Sequence, residues 1–320
     1  MMKLIMNKIL LTLLLVMSMT MLVNAQQEAQ YTQFMYNKLT LNPAYAGVRG
    51  MASLTALYRK QWMGFDGAPT SKLLSLDAPI FGDKVGFGLT ISNQTIGIMN
   101  DWHATMAYSY HIKINDKSSF RFGLQGSMKF QGIDFADPGV FIQDQVDNSI
   151  VVDETTQDYF INFGAGMYFT YDQFYAGISV PNFIPSEIGF NNPEADLIAE
   201  TRQHYYFMTG VMVPLSSKLN LKPALLAKYV QNAPFDMDVN LSLVYDLKMT
   251  FGLSYRIGGS GSGDSVDLLA MYQYNQIGIG LAYDYSLSEL NDHSNGSFEV
   301  LVRYDFVKER EDMANPRFFF

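Results

Sequence analysis

Apolar and polar residues alternate along many short stretches of this chain. From Phe120 to Phe130 the even positions are mostly apolar, whereas the odd positions carry Arg, Gly, Gln, Ser and Lys. The same alternation recurs from Asp236 to Tyr245 and from Ile277 to Tyr285. Successive side chains of a strand point to opposite faces of a sheet, so the pattern predicts strands with one apolar and one polar face.

The connections between these strands indicate the kind of sheet. Short polar turns such as Gly82-Asp83-Lys84 alternate with longer loops, the longest running from about Gln131 to Asp158 and from Pro181 to Gln203. The short connection around Gly97 to Asp101 does not follow this alternation. Bacterial outer-membrane barrels have an even strand number, short periplasmic turns and longer external loops. The prediction is an all-β fold, a transmembrane antiparallel β-barrel of about 14 strands. The strands are predicted to begin near Met51, Thr70, Val85, Trp102, Ser119, Tyr159, Phe174, His204, Leu219, Asp236, Met249, Ser265, Ile277 and Gly296.

The composition favours a membrane barrel over a soluble sandwich. Aromatic residues make up 14% of the chain and charged residues only 17%, against about 25% charged residues in soluble domains. Aromatic residues stand at the ends of the apolar faces, for example Tyr283 and Tyr285, as in the interfacial girdles of membrane barrels. Glycine, serine and threonine are frequent on the opposite face, as suits an inner barrel wall.

The first 25 residues have the features of a secretory signal peptide. Lys3 and Lys8 supply the positive region, Ile9 to Met17 a short apolar run, and Val23-Asn24-Ala25 a cleavage site. The predicted divisions are residues 1–25 as signal peptide, 26–50 as an N-terminal segment on the periplasmic side, 51–306 as the barrel, and 307–320 as a periplasmic C-terminal tail.

Charge and residue types exclude several classes of function. The net charge is −9, which argues against nucleic acid because phosphate binding needs a basic surface. The absence of cysteine excludes thiol catalysis and cysteine metal sites. Ser109 and His111 share a polar strand face, but their spacing is loose for a nucleophile and base, and polar lumen lining is the better interpretation. We therefore predict no enzymatic activity, no cofactor and no metal site.

Two groups of charged residues leave alternatives open. The loop of residues 131–158 is strongly acidic, which is typical of a solvated external loop but leaves calcium binding open. Both signs of charge fall on polar strand faces, where they could hold a plug in the lumen or line a pore. These strand charges are Arg59, Arg121, Lys129, Asp236, Asp238, Arg256, Asp267, Glu299, Arg303 and Asp305.

One segment has no such alternation and is the most distinctive part of the chain. It runs from Gln30 to Gly47 with the sequence QYTQFMYNKLTLNPAYAG. This segment closely resembles the N-terminal motif of the PorP/SprF family, outer-membrane proteins of the bacterial type IX secretion system. Two further blocks, Tyr58 to Trp62 and Gly67 to Thr70, resemble that family's next shared segment, and the last strand resembles its final strand.

The resemblance implies a non-enzymatic component that supports secretion or surface attachment of cargo, including gliding adhesins in some relatives. Implied partners are outer-membrane lipids, the ring and lipoprotein components of the system, and secreted cargo. The implied location is the outer membrane, with both termini periplasmic. An outer-membrane diffusion channel and a structural surface protein are the alternatives.

We interpret the motif as a recognition element that either packs into the periplasmic mouth or docks a partner. Asn42-Pro43 and Gly47 would fix its backbone, since proline restricts both itself and the residue before it. Aromatic residues at the end of the tail would be a periplasmic docking peptide, because exposed aromatics are costly without a partner. The candidate partner-binding residues are Phe34, Tyr36, Asn37, Asn42, Pro43, Tyr45, Gly47, Phe318, Phe319 and Phe320.

Overall fold

The alternating segments form strands over the whole length predicted for the barrel. The computed structural model describes residues 30–137, 155–188, 199–231, 233–258 and 263–306. The proposed signal peptide, the C-terminal tail and the middle of the acidic loop lie outside these residues. The described strands are β1 (Ser53–Lys60), β2 (Thr70–Ile80), β3 (Val85–Ile96), β4 (Met99–Lys113), β5 (Ser118–Asp134), β6 (Thr155–Tyr171), β7 (Phe174–Val180), β8 (Ser186–Ile188), β9 (Ala199–Thr201), β10 (His204–Val211), β11 (Val213–Pro214), β12 (Leu219–Val230), β13 (Asp236–Tyr245), β14 (Met249–Ile257), β15 (Gly263–Tyr274), β16 (Ile277–Ser286) and β17 (Ser297–Asp305).

Fourteen of these strands form one closed antiparallel barrel. Each wall strand pairs with its neighbours in the chain, and β1 closes the sheet by pairing with β17, Ser53 opposite Asp305. Strands β8 and β9 form a separate small hairpin, and the two-residue β11 pairs beside β12. The predicted fold and strand number are therefore confirmed. The largest difference in a strand start is at β6, predicted from Tyr159 and observed from Thr155.

The two faces of the wall have opposite chemistry. On β5 the outward Phe122 and Leu124 are 45% and 64% exposed, while the inward Arg121 and Gln125 are buried. Hydrocarbon cannot form hydrogen bonds with backbone amides, so a bilayer requires that these amides pair within the protein and that the outer surface is apolar. A closed sheet with an apolar outer face meets both requirements. No helix within the described part of the chain is long and apolar enough to cross a membrane.

The two ends of the barrel have different connections. At one end, the turn end, only two residues join β6 to β7 and β15 to β16. Asp172 and Asn275 in these turns have positive φ angles, which short polar residues tolerate well. At the other end, the loop end, residues 61–69 and 287–296 form longer connections. The tight Gly97–Ile98 link between β3 and β4 is the exception at that end, as the sequence predicted.

Leu253 tests the apolar outer face, because it lies in the middle of β14 between the outward Leu241 and Leu268. We expect Leu253→Arg to lower the free energy of unfolding in lipid vesicles by about 2–4 kcal/mol, since the guanidinium would face the bilayer centre. The control Leu215→Arg, at a similarly exposed turn-end residue, is expected to cost about 0–1 kcal/mol. Equal effects in denaturant titrations would contradict a membrane-facing β14.

Candidate functional site: a segment inside the barrel

The conspicuous N-terminal motif lies inside the barrel. Residues 30–50, here called the lumen segment, form three short 3-10 turns, Phe34–Tyr36, Lys38–Thr40 and Pro43–Tyr45. Nearly every side chain from 32 to 49 is buried or half-buried, and Asn42 has no exposed surface. Of the two arrangements open from the sequence, a plug or an open pore, the structure has the plug.

The lumen segment runs from the loop end of the barrel to its turn end. The Gln30 amide lies 3.5 Å from the carboxylate of Asp236, which begins β13 at the loop end. Arg49 instead forms a 2.8 Å ion pair with Asp305, the last residue of β17 at the turn end. The prediction that residues 26–50 lie on the side of the short periplasmic turns is therefore wrong for the start of the lumen segment. The alternation of the strands located this segment before β1 but carried no information about its path.

A buried polar cluster holds the start of the lumen segment. The Glu299 carboxylate accepts the backbone N–H groups of Thr32 and Gln33 at 3.0 and 2.9 Å. The Thr32 hydroxyl donates to Asp284 at 2.7 Å and accepts from Arg59 at 2.8 Å. Arg59 also pairs with Asp284 at 2.7 Å and is 1% exposed. Buried charges are stable only when they are paired and hydrogen-bonded, and here the lumen segment supplies part of that pairing.

Asn42 fixes the middle of the lumen segment to the wall. Its side-chain amide donates to the backbone carbonyls of Met167 on β6 and Ile178 on β7, at 3.0 and 3.1 Å. Its side-chain oxygen accepts the N–H of Ala44 at 2.9 Å and caps the turn that begins at Pro43. Both amide hydrogens and the amide oxygen therefore have partners, a combination that only an amide side chain provides here.

Glycines on the inner wall make room for this contact. Gly123 on β5 lies opposite Gly166 on β6. A Cβ atom at Gly123 would overlap the backbone of Ala44, and one at Gly166 would overlap the Asn42 side chain. A Cβ at Gly177 would lie 2.9 Å from the Asn42 amide nitrogen. Glycine permits close approach of two backbones, so these three positions shape a flat bed for the lumen segment.

Two carbonyls and one amide fix the end of the lumen segment near the turn end. Ser109 donates to the Ala46 carbonyl at 2.6 Å, and Arg121 donates to the Gly47 carbonyl at 3.3 Å. The Gly47 N–H donates to Asp77 at 2.6 Å. Gly47 has a φ of +70°, a conformation that other residues adopt at a cost. The positive φ angle and the hydrogen bond to Asp77 are therefore the physical basis for the prediction that Gly47 fixes the backbone.

Aromatic rings surround a buried lysine in the centre. Tyr45 packs edge-on against Tyr168 at 5.5 Å, and Tyr168 stacks on Tyr175 at 5.6 Å. The Lys38 ammonium lies 4.5 Å from the ring centre of Tyr175 and donates to the Met35 carbonyl at 3.0 Å.

A patch of inward apolar side chains interrupts the polar inner face. Leu57 on β1 lies between Leu73 and Leu301 on the adjacent strands, and Met271 joins the patch. Tyr36 of the lumen segment packs against it. Inward apolar residues would be costly in a water-filled lumen but are favourable beneath a bound segment.

The predicted motif residues therefore meet in one site, although partner binding by them stays a prediction. Phe34 is 3% exposed, and Asn37 accepts a hydrogen bond from Ser75 at 3.2 Å. Phe318, Phe319 and Phe320 lie outside the described residues. Sequence reasoning missed other residues of the lumen segment that make buried polar contacts. The available signal was an apolar residue such as Leu57 on the inner face of a strand, because it indicates that a segment packs against that face. The missed residues are Thr32, Gln33, Lys38, Ala46 and Arg49.

The geometry does not support Ser109 and His111 as a nucleophile and its base. Ser109 is buried and donates to the lumen segment, whereas the His111 ring nitrogen lies 2.9 Å from the Asp83 carbonyl. In the described parts of the chain, no group of three His, Cys, Asp or Glu side chains is placed to hold a metal ion.

Comparison with known families assigns the chain. The family model described as type IX secretion system membrane protein PorP/SprF matches residues 23–304, which include the lumen segment and the barrel wall up to the penultimate residue of β17. The chain belongs to the PorP/SprF family. Together with the apolar outer face, membership of this family identifies the protein as an outer-membrane barrel.

Three solved structures are similar to this chain at low sequence identity. A Pseudomonas aeruginosa FadL homologue is 13% identical, with 86% of this chain and 94% of that chain covered and a TM-score of 0.46. The Pseudomonas putida toluene transporter TodX is 11% identical, with 88% and 95% covered and a TM-score of 0.43. The Acinetobacter baumannii protein Omp33 is 5% identical, with 80% and 98% covered and a TM-score of 0.47. No curated protein matches the sequence.

Asn42→Asp tests the central anchor. The change removes both donors to the β6 and β7 carbonyls and brings a carboxylate against them, so we expect a loss on the order of 3 kcal/mol in segment docking. Hydrogen exchange of residues 30–50 should rise at least tenfold. Asn115→Asp is the control, because its side-chain oxygen accepts from the Lys117 and Ser118 amides and aspartate keeps those bonds. Unchanged protection in Asn42→Asp would exclude this anchor.

Gly123→Ala tests the fit between the wall and the lumen segment. The added methyl group would meet the Ala44 backbone, so we expect protease sensitivity within residues 30–50 while the barrel stays folded. Gly126→Ala on the same strand is the control, since its Cβ would lie 4.0 Å from the nearest atoms, in the Phe163 ring. Equal resistance of both variants would show that the close approach at Gly123 is not needed.

Proposed function

We propose that this PorP/SprF protein is a non-enzymatic component of the type IX secretion system that works through protein contacts and not by conduction. It supports the secretion or surface attachment of cargo, with gliding adhesins as one class. Family membership supports the role in secretion. The single observation that favours contact over conduction is the lumen segment, which occupies the barrel interior.

The distribution of anchors supports a closed barrel. The lumen segment bonds to β16 and β17 near its start, to β6 and β7 at Asn42, and to β2, β4 and β5 near Gly47. Its contacts therefore reach wall strands on several sides of the lumen. Opening a path for solutes would break buried hydrogen bonds and ion pairs together, each costly when one partner is lost.

We infer the orientation of the barrel in the membrane from the lengths of its connections. In bacterial barrels the short turns are periplasmic, so we place the turn end in the periplasm. The Phe306 N–H bonds to the Ala52 carbonyl at this end, so Phe306 lies on the proposed periplasmic side. We propose Phe318–Phe320 as contacts for periplasmic ring and lipoprotein components. Gln30 then faces the external mouth.

The motif residues then have a different role from direct docking. Phe34, Asn42 and Tyr45 are buried against the protein's own wall, so they hold the barrel closed and keep the surfaces of both mouths in shape. The partner contacts fall to the C-terminal tail and to the mouths themselves. Direct docking by the motif would require release of the lumen segment.

The proposal is tested by measuring conductance and secretion on the same variants. We expect the wild-type protein to give no large stable conductance in planar bilayers, and a deletion strain to lose secreted or surface-attached cargo. The Gly126→Ala variant should restore secretion when it is expressed in the deletion strain. The Gly123→Ala variant should conduct more than the wild-type protein in planar bilayers, because it releases the lumen segment. A large wild-type conductance with normal secretion in the deletion strain would instead establish a diffusion channel. If the wild-type protein gives no conductance and the deletion strain has no secretion defect, the protein is a structural surface protein.

A further inference from the structure

One side of β6 is paired over only part of its length. On the side of β5, β6 is paired from end to end, residues 155–171. On the other side it pairs with β7 from Ala165 onward, because β7 ends at Val180, the residue opposite Ala165. Within the described residues, no strand continues this pairing along residues 155–164. These residues are here called the β6 edge.

The chain after β7 turns toward the lumen and does not continue along the β6 edge as a strand. Gln125, an inward residue of β5, donates to the Pro181 carbonyl at 3.0 Å. The inward Asn162 side chain donates to the Ile184 carbonyl at 2.7 Å and accepts the Ile184 N–H at 2.9 Å. A Cβ atom at Gly164 would overlap the Pro181 backbone, so the inner face is shaped for this turn. Specific contacts therefore hold the interruption of the wall.

Backbone groups along the β6 edge point away from β5. The Phe163 carbonyl accepts the Phe183 N–H at 2.8 Å, and the Tyr159 N–H donates to the Asp158 carboxylate at 2.8 Å. Backbone groups of alternate residues point to the same side of a strand, so the N–H and C=O groups of Ile161 point to this side as well. Among the described strands, none pairs with them there. Edge amides and carbonyls at the spacing of a strand are a template for a further strand.

The β6 edge lies where β6 leaves the bilayer at the loop end. Tyr171 and Tyr159 stand near the two ends of its outward face and are 51% and 65% exposed, as in interfacial girdles. The residues from Ile161 to Tyr171 suffice to cross the hydrocarbon core, for which about 9–11 tilted strand residues are needed. Unpaired backbone groups are costly in hydrocarbon, but water and polypeptide reach them at the interface. Another protein can therefore approach the β6 edge from the loop end.

We propose that the β6 edge binds an extended segment of a partner protein as an added antiparallel strand, in line with β7. Sheet edges bind extended peptides through backbone hydrogen bonds, here to Tyr159 and Ile161. The outward Tyr159, Ile161 and Phe163 favour β-branched residues at alternate positions of the segment, since aromatic and β-branched side chains pair well across strands. This inference rests on the fold and does not depend on the proposed role in secretion.

Charge narrows the kind of segment that fits. Asp158 is the only charged residue of β6. Its carboxylate accepts the Tyr159 N–H, which a backbone carbonyl of the added strand takes over. The carboxylate is then available to a cation, so a lysine or arginine opposite Asp158 suits the C-terminal end of the segment.

A labelled peptide tests this pairing on the full-length protein in detergent. The capped peptide Val-Thr-Val-Thr-Val-Lys places valine outward and lysine opposite Asp158. We expect saturable binding with a Kd below about 1 mM by fluorescence anisotropy, and at least tenfold slower hydrogen exchange of the Ile161 amide. The same peptide with an N-methyl group on each valine should bind at least tenfold more weakly, because it cannot donate to β6.

Ile161→Pro should abolish binding of the peptide, whereas Ile161→Thr should keep its Kd within about threefold. Proline removes an N–H that points away from β5, a position where strands tolerate it. Threonine keeps both the N–H and a β-branched side chain. If Ile161→Pro does not assemble, the N-methylated peptide tests the same contact on the wild-type protein.

Three results would overturn the proposal. The first is the absence of saturable binding to the wild-type protein. The second is equal binding of the N-methylated peptide, or equal binding to a folded Ile161→Pro barrel, since uptake by the apolar outer face would then explain both. The third is a dimer in light scattering that Ile161→Pro abolishes, which would assign the β6 edge to a second copy of this chain.

Discussion

The structure depends on one constraint. A sheet in a bilayer must close on itself, and the polar side chains that closure buries on its inner face must still find hydrogen-bond and ion-pair partners. Closure leaves no edge amide exposed to lipid. It also turns a whole row of polar side chains inward, where Arg59, Asp284 and Glu299 lose contact with bulk water. The lumen segment resolves this problem, because its backbone amides and the Thr32 hydroxyl bond to the buried carboxylates.

Sequence pattern predicted the wall well because each wall strand faces two different solvents. Hydrocarbon outside and a polar lumen inside require apolar and polar side chains to alternate with a period of two. This alternation predicted β5 and β16 from the sequence, before their pairing was known. The lumen segment faces protein on every side, so no period applies to it. Its path stayed hidden for the same reason, and the assumption that it stays on one side of the membrane failed at Gln30.

The inner face also contained a signal that the alternation alone did not explain. A water-filled pore has no use for Leu57 and Leu73 beside each other on the polar side. Nor does it need Gly123 opposite Gly166, where glycine weakens a strand without any turn to justify it. Both features are explained by a second surface lying against the wall. Apolar and glycine positions on a polar barrel face therefore indicate an occupant more directly than mixed charge does.

The motif is short in sequence, but its residues contact strands on several sides of the barrel. Within eighteen residues it meets β17 through Thr32 and Gln33, β6 and β7 through Asn42, and β4 through Ala46. Thr32 and Glu299 are separated by 267 positions, and Glu299 lies on β17, the strand that closes the sheet by pairing with β1. Docking of the lumen segment is thus coupled to barrel closure, and a change that loosens one anchor acts on a segment fixed from several strands at once. This coupling explains why so short a segment places so many specific demands on its residues.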